Sequence, residues 1–124
     1  MVCHFTILGQ LYSMKNSRIY TGKGRLVKHP KARAFEQAFA LQVGQAVPLE
    51  PLTVPVVVVY RVWYPHNRQD LDTALLDDCL QACGFIANDR QIVEKHSYKS
   101  IDAANPRVEV WLWEAGSPPV PAVW

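Results

Sequence analysis

Residues 54–63, Val-Pro-Val-Val-Val-Val-Tyr-Arg-Val-Trp, constrain the fold of this chain more than any other stretch. A run so rich in β-branched and aromatic side chains packs on a pleated surface and reads as the clearest strand in the sequence. Pro55 belongs at its start, because proline has no N–H to give to a strand ladder. The strand delivers Tyr64-Pro65-His66-Asn67-Arg68-Gln69 and then the pair Asp70-Leu71-Asp72. A strand that ends in a loop and then an acid-bearing helix is a natural place for a site, since the sheet fixes its position.

In extended backbone, residues two apart point to the same side, so Asp70 and Asp72 project together just before the next helix. Like charges held that close raise each other's pKa unless a cation neutralises them. Oxygen donors without thiolates or paired histidines suit Mg²⁺ or Mn²⁺, which take carboxylates plus waters and often bridge to phosphate. The chemistry that follows is divalent-metal phosphoryl transfer. A structural alternative stands beside it: Asp is a good N-cap, and its charge suits the positive end of a helix dipole. Asp77 and Asp78, further along, read as solvated surface. Of His4, His29, His66 and His96, only His66 is near the pair in sequence. It is either a proton-transfer assistant or a hydrogen-bonded structural residue.

Around this centre the chain punctuates itself. Residues 3–8 read as a short strand with Phe5 and Ile7 on one side. Residues 9–30 read as a long loop with a hairpin around Gly22-Lys23-Gly24, and Pro30 opens a helix over 31–43 that Gly44 ends. A second helix, 73–83, puts Leu71, Leu75, Cys79 and Ala82 on one face, with Gly84 just past its end. Asn88-Asp89 forms a turn into a half-exposed strand, 91–101. In the last strand, 107–114, Val108, Val110 and Leu112 alternate with Arg107, Glu109, Trp111 and Trp113, so one face is expected to meet a helix and the other a partner chain. The order β-α-β-α-β-β implies an α/β (α+β) domain with a small mixed β-sheet and two helices, spanning residues 1–115. Residues 116–124 form an extended Pro-rich tail.

Composition narrows the class. Nearly half of the 124 residues are apolar and under a fifth are charged, which is globular rather than disordered. No apolar run is long enough for a membrane span, the N-terminus lacks a signal-peptide pattern, and three cysteines suggest reduced thiols, so the expected location is the cytoplasm. Residues 1–35 carry Lys15, Arg18, Lys23, Arg25, Lys28, Lys31 and Arg33 without one acid, which leaves −5 for the remainder of a chain of net charge +2. A basic first third beside a carboxylate-bearing remainder fits a protein that holds a polyanion against a metal site; a solvated basic loop is the alternative. Tyr12 and Tyr20, among these cations, either stack on splayed bases or pack the loop down.

Asp70-Leu71-Asp72, an apolar helix, Ala82-Cys83-Gly84-Phe85-Ile86 and then Asn88-Asp89-Arg90-Gln91-Ile92-Val93 resemble the RusA family of Holliday junction resolvases. The likeness extends to Phe5-Thr6-Ile7-Leu8-Gly9 and the basic stretch after it. The resemblance implies a homodimeric, Mg²⁺-dependent (or Mn²⁺-dependent) endonuclease that resolves four-way junctions in DNA recombination and repair, in a bacterial or phage-infected cell. It implies that Asp70, Asp72 and Asp89 are the catalytic, metal-binding carboxylates. Lys15, Arg18, Lys23, Arg25, Arg68, Lys95 and Lys99 would then contact DNA. Two departures stand out. Thr73 takes the place of the family's Asn, and Leu76 that of a functionally important Lys one helical turn past Asp72, with no Lys or Arg between residues 73 and 81. The span from Asp72 to Gly84 is also about two residues short, a rotation of about 200° in a helix, so the gap belongs at the helix entry. Lys95, Lys99 or Lys23 are the candidate substitute cations. Asn88 replaces the first of two family acids at the turn. A branched-DNA-binding protein with weak or no cleavage is the alternative function.

Overall fold

The structure is a computed structural model that describes residues 2–13, 18–20, 26–28 and 30–116, the segments 18–20 and 26–28 as backbone alone. Its elements are β1 (Cys3–Leu8), β2 (Arg18–Tyr20), β3 (Leu26–Lys28), α1 (Pro30–Val43), β4 (Val56–Tyr64), α2 (Ala74–Ala82), β5 (Ile92–Ile101) and β6 (Arg107–Glu114). The valine-rich run becomes β4, an inner strand of a four-stranded sheet ordered β1-β6-β4-β5. Val56 to Tyr60 are all buried, on both faces, which is why the run is unbroken rather than alternating. β4 pairs antiparallel with β6 and parallel with β5, while β1 closes the far edge antiparallel to β6. A parallel neighbour demands a crossover, and α2 makes it. The mixed sheet with two helices matches the expected class. β2 and β3 add an antiparallel pair, Ile19 opposite Val27, that places a hairpin where residues 22–24 predicted one; the turn itself lies outside the described residues.

Both helices lie on one face of the sheet. Phe35 and Phe39 of α1 and Leu75, Leu76, Cys79 and Leu80 of α2 pack there against Ile7, Val58, Val62, Val108, Val110 and Leu112. Phe5 stacks on Phe85 at 5.0 Å and meets Phe39 edge-on at 5.7 Å. Each such ring withdrawn from water contributes about 2–3 kcal/mol. The opposite face carries a smaller cluster of Val57, Val59 and Trp113 with Tyr98 and Trp111 beside it. Arg107 and Arg61 lie over the Trp63 ring at 3.9 and 5.7 Å.

The buried stripe of α2 differs from the expected one. Ala82 is exposed, and Leu76 and Leu80 are buried in its stead. The helix sits on the sheet along positions 75, 76, 79 and 80, so its last residue projects past the sheet surface. The end of α2 follows the sequence: Gly84 has φ +89°, its N–H reaches the Gln81 carbonyl, and the Phe85 N–H reaches that of Leu80. This is a Schellman turn, with buried Phe85 and Leu80 supplying its hydrophobic contact. The three cysteines are free, Cys79 buried and Cys3 and Cys83 half-buried. Burial pushes the Cys3 thiol up to about 11. Among the described residues no helix is long and apolar enough to cross a membrane.

Candidate active site at the carboxyl end of the central strand

β5 is an edge strand, and the middle of its helix-facing side is polar. Period-two alternation puts Lys95, Ser97 and Lys99 on one face, and each meets the segment that runs from the end of β4 into α2. The Lys95 ammonium donates to Asp77 Oδ2 at 2.9 Å. The Ser97 hydroxyl lies 3.2 Å from that of buried Thr73. The Lys99 ammonium donates to the Gln69 carbonyl at 2.5 Å and sits over the Tyr64 ring at 5.7 Å. The result is a polar seam between α2 and β5, open at the carboxyl end of β4. In open α/β sheets the crevice beyond the carboxyl ends of parallel strands is where ligands bind.

Asp70 and Asp72 stand at that end. Asp70 is exposed, and its carbonyl accepts from the Tyr64 hydroxyl at 3.1 Å. Asp72 is half-buried: Oδ1 accepts from the Ala74 N–H at 3.1 Å and Oδ2 from the Ser13 hydroxyl at 2.8 Å. The capping role offered as an alternative is therefore present, because Asp72 satisfies an orphan N–H in the first turn of α2 while Thr73 makes no side-chain cap. Capping does not exhaust the carboxylate. The cap leaves the carboxylate its charge, and Asp70 is open to solvent. Tyr64 joins the two acids from below. Burial raises its hydroxyl pKa first, the Asp72 and Asp70 charges raise it further, and a contact with the Asp72 backbone opposes them.

Mg²⁺ and Mn²⁺ are held by one or two carboxylates completed with waters and substrate phosphate, and a pair with one exposed member suits such an ion. The described residues contain no group of three His, Cys, Asp or Glu able to hold a metal. Asp89 stands past the far end of α2 from the pair. It starts a short 3-10 turn, Asp89–Gln91, and its N–H donates to Gln81 near the end of α2, whereas Asp72 sits at the beginning. α2 itself is nine residues, about 13 Å, long. The neighbouring motif residues are structural: Asn88 accepts from the Arg90 N–H, and the Gln91 side chain accepts from the Asn88 N–H, a capping box.

Of the expected DNA-contacting cations, Lys95 and Lys99 line the seam and Arg68 lies exposed in the loop before Asp70, its N–H donated to His66 Nδ1 at 3.3 Å. Arg18 is in β2, described as backbone, and Lys15, Lys23 and Arg25 lie outside the described residues. Tyr12 is half-buried with the Lys31 ammonium 5.5 Å from its ring centre. Leu76, in the place of the family Lys, is fully buried.

Sequence reasoning missed four participants. Asp77 is not solvated surface: its side chain is 17% exposed and takes the Tyr60 hydroxyl at 2.7 Å as well as Lys95. Burial, then the Asp77 charge and hydrogen bond, hold the Tyr60 hydroxyl well above its ordinary pKa. The signal was legible for Tyr60 and Tyr64, which alternate onto the core face of β4 with Val58 and Val62, since a buried tyrosine needs a partner for its hydroxyl. Nothing in the sequence pointed to Ser13, which reaches Asp72 from 59 positions away.

A search among curated proteins finds no match. The family described as Endodeoxyribonuclease RusA matches residues 9–112, a region that includes β4, α2, β5 and both aspartates of the pair. The chain therefore belongs to the RusA endodeoxyribonuclease family, hydrolases that cut within DNA strands.

Proposed function

We propose that this chain is a divalent-metal-dependent resolvase of four-way DNA junctions that works as a homodimer in the cytoplasm of a bacterial or phage-infected cell. The observation that carries the reading is the Asp70–Asp72 pair, set at the carboxyl end of β4 inside the region that the family matches. Asp70 and Asp72 would hold the ion, Mg²⁺ in the first instance. An ion bound there supplies charge neutralisation at the scissile phosphate and a more acidic water. The chain's own contribution is positioning. Tyr64 fixes the Asp70 backbone, Ser13 and the Ala74 N–H orient the Asp72 carboxylate, and Arg68 stands ready for a neighbouring phosphate. Two-fold symmetry in the protein suits two symmetric cuts in a two-fold DNA target.

The test is cleavage of a synthetic four-way junction with and without Mg²⁺, beside linear duplex and the variant Asp72→Asn. Asparagine keeps the capping oxygen and removes the charge, so the fold should persist while cleavage is lost and junction binding stays equal or tightens. Paired nicks that need Mg²⁺ and Asp72 support the proposal. Loss of binding together with loss of folding would reduce Asp72 to a cap.

One observation favours a second reading. Leu76 is committed to the core, so α2 brings no lysine to the carboxylates. A branched-DNA-binding protein with weak or no cleavage is the result if wild-type chain binds the junction tightly and leaves it intact in Mg²⁺ and Mn²⁺.

A further inference from the structure

We propose that Lys99 is the positioning cation of this site, locking the Gln69–Asp70 backbone from the carbonyl one residue before the carboxylate pair. The inference rests on the reading of Asp70 and Asp72 as the catalytic pair. The segment between Tyr64 and Thr73 belongs to neither the sheet ladder nor α2, so its shape depends on contacts from outside. Two of these fall on consecutive carbonyls. Lys99 Nζ donates to Gln69 O at 2.5 Å and the Tyr64 hydroxyl to Asp70 O at 3.1 Å. The two donors also support each other, with the ammonium 5.7 Å from the Tyr64 ring centre.

Lys99 is set up for this role by its place in β5. It pairs with Val62 of β4, two residues before the strand end, so its stem rises along the sheet toward the loop. Its two same-face neighbours have other partners: Ser97 meets Thr73 and Lys95 meets Asp77. Lys95 is thereby placed beside a different carboxylate, deeper along the seam. A charge-assisted bond to a carbonyl is stronger than a neutral one. Misplacement of reacting groups by about 1 Å costs roughly a hundredfold in rate, so a clamp one residue from Asp70 bears directly on turnover.

Lys99→Met and Lys99→Arg test this, with wild type alongside. Methionine keeps an apolar stem over Tyr64 and removes the donor; arginine keeps a charged donor. Hydrogen–deuterium exchange of a peptide covering residues 65–73 should speed up at least tenfold in Lys99→Met, with the remainder of the chain and the melting temperature little changed, and Lys99→Arg should recover part of the protection. Single-turnover junction cleavage should fall tenfold to a hundredfold in Lys99→Met, while junction Kd and its salt dependence stay within about threefold. Unchanged exchange over residues 65–73 would overturn the proposal, whatever the activity. A weakened Kd in step with cleavage would overturn it too, making Lys99 a phosphate contact. Wild-type chain that neither binds nor cuts branched DNA would sink the functional reading instead, and the exchange experiment would still decide the clamp.

Discussion

Tyr60 ties the stability of the core to alkaline pH. Its hydroxyl is buried and donates to Asp77, so the folded chain holds the phenol proton more tightly than the unfolded chain does. A group whose folded pKa is raised contributes its stabilisation in full below the unfolded value, near 10, and loses it as pH rises toward the folded value. The Tyr64 hydroxyl and the Cys3 thiol are raised in the same sense. Urea denaturation should therefore show stability falling from about pH 9, through the thiol, and more steeply above about pH 10, through the tyrosines. Tyr60→Phe should cost about 1 kcal/mol at neutral pH, because Asp77 keeps Lys95, and should flatten the alkaline loss. An alkaline slope identical in the variant would show that Tyr60 does not carry it.

At the level of elements, α2 does two jobs that compete for its residues. It must cross from β4 to β5 over the sheet, and it must start beside the carboxylates. Packing takes positions 75, 76, 79 and 80, and the seam takes Thr73 and Asp77. This division is why Leu76 cannot be read as a lost lysine that could simply be restored. Leu76→Lys would bury an ammonium where a leucine now fills the core, at a cost of about 3 kcal/mol or more. Thermal unfolding should show the loss, and junction cleavage should not rise above wild type. A variant that kept wild-type stability and cut faster would show that α2 can turn in place and expose this position.

Across the molecule, charge is segregated more sharply than fold. The basic first third and the acidic remainder meet at the seam through Ser13, which brings the chain entering the basic stretch onto Asp72. Charge reversal at Lys23 and Arg25 together should weaken binding to all DNA about equally and lower the slope of log affinity against log salt. Fluorescence anisotropy at several salt concentrations measures both quantities. Unchanged affinity would remove that stretch from the DNA surface.

Local chemistry carried much of this in the sequence. The β-branched run had to be a strand, Gly84 had to end α2 in a left-handed residue, and Asp70 and Asp72 had to fall in the passage from strand to helix. These outcomes depend on residues close in the chain, so a linear pattern records them. The short 3-10 turn after Asn88 was half legible: the turn was expected, and the capping box within it emerged from side-chain geometry. What tertiary structure alone decided was which distant groups share the seam. Register between β4 and β5 put Lys99 against Gln69, the pitch of α2 put Asp77 against Tyr60 and Lys95, and the turn after that helix put the Asp89 N–H on the Gln81 side chain. No spacing rule reaches across a crossover, because the rotation of a helix on its sheet is set by the packing of the whole core.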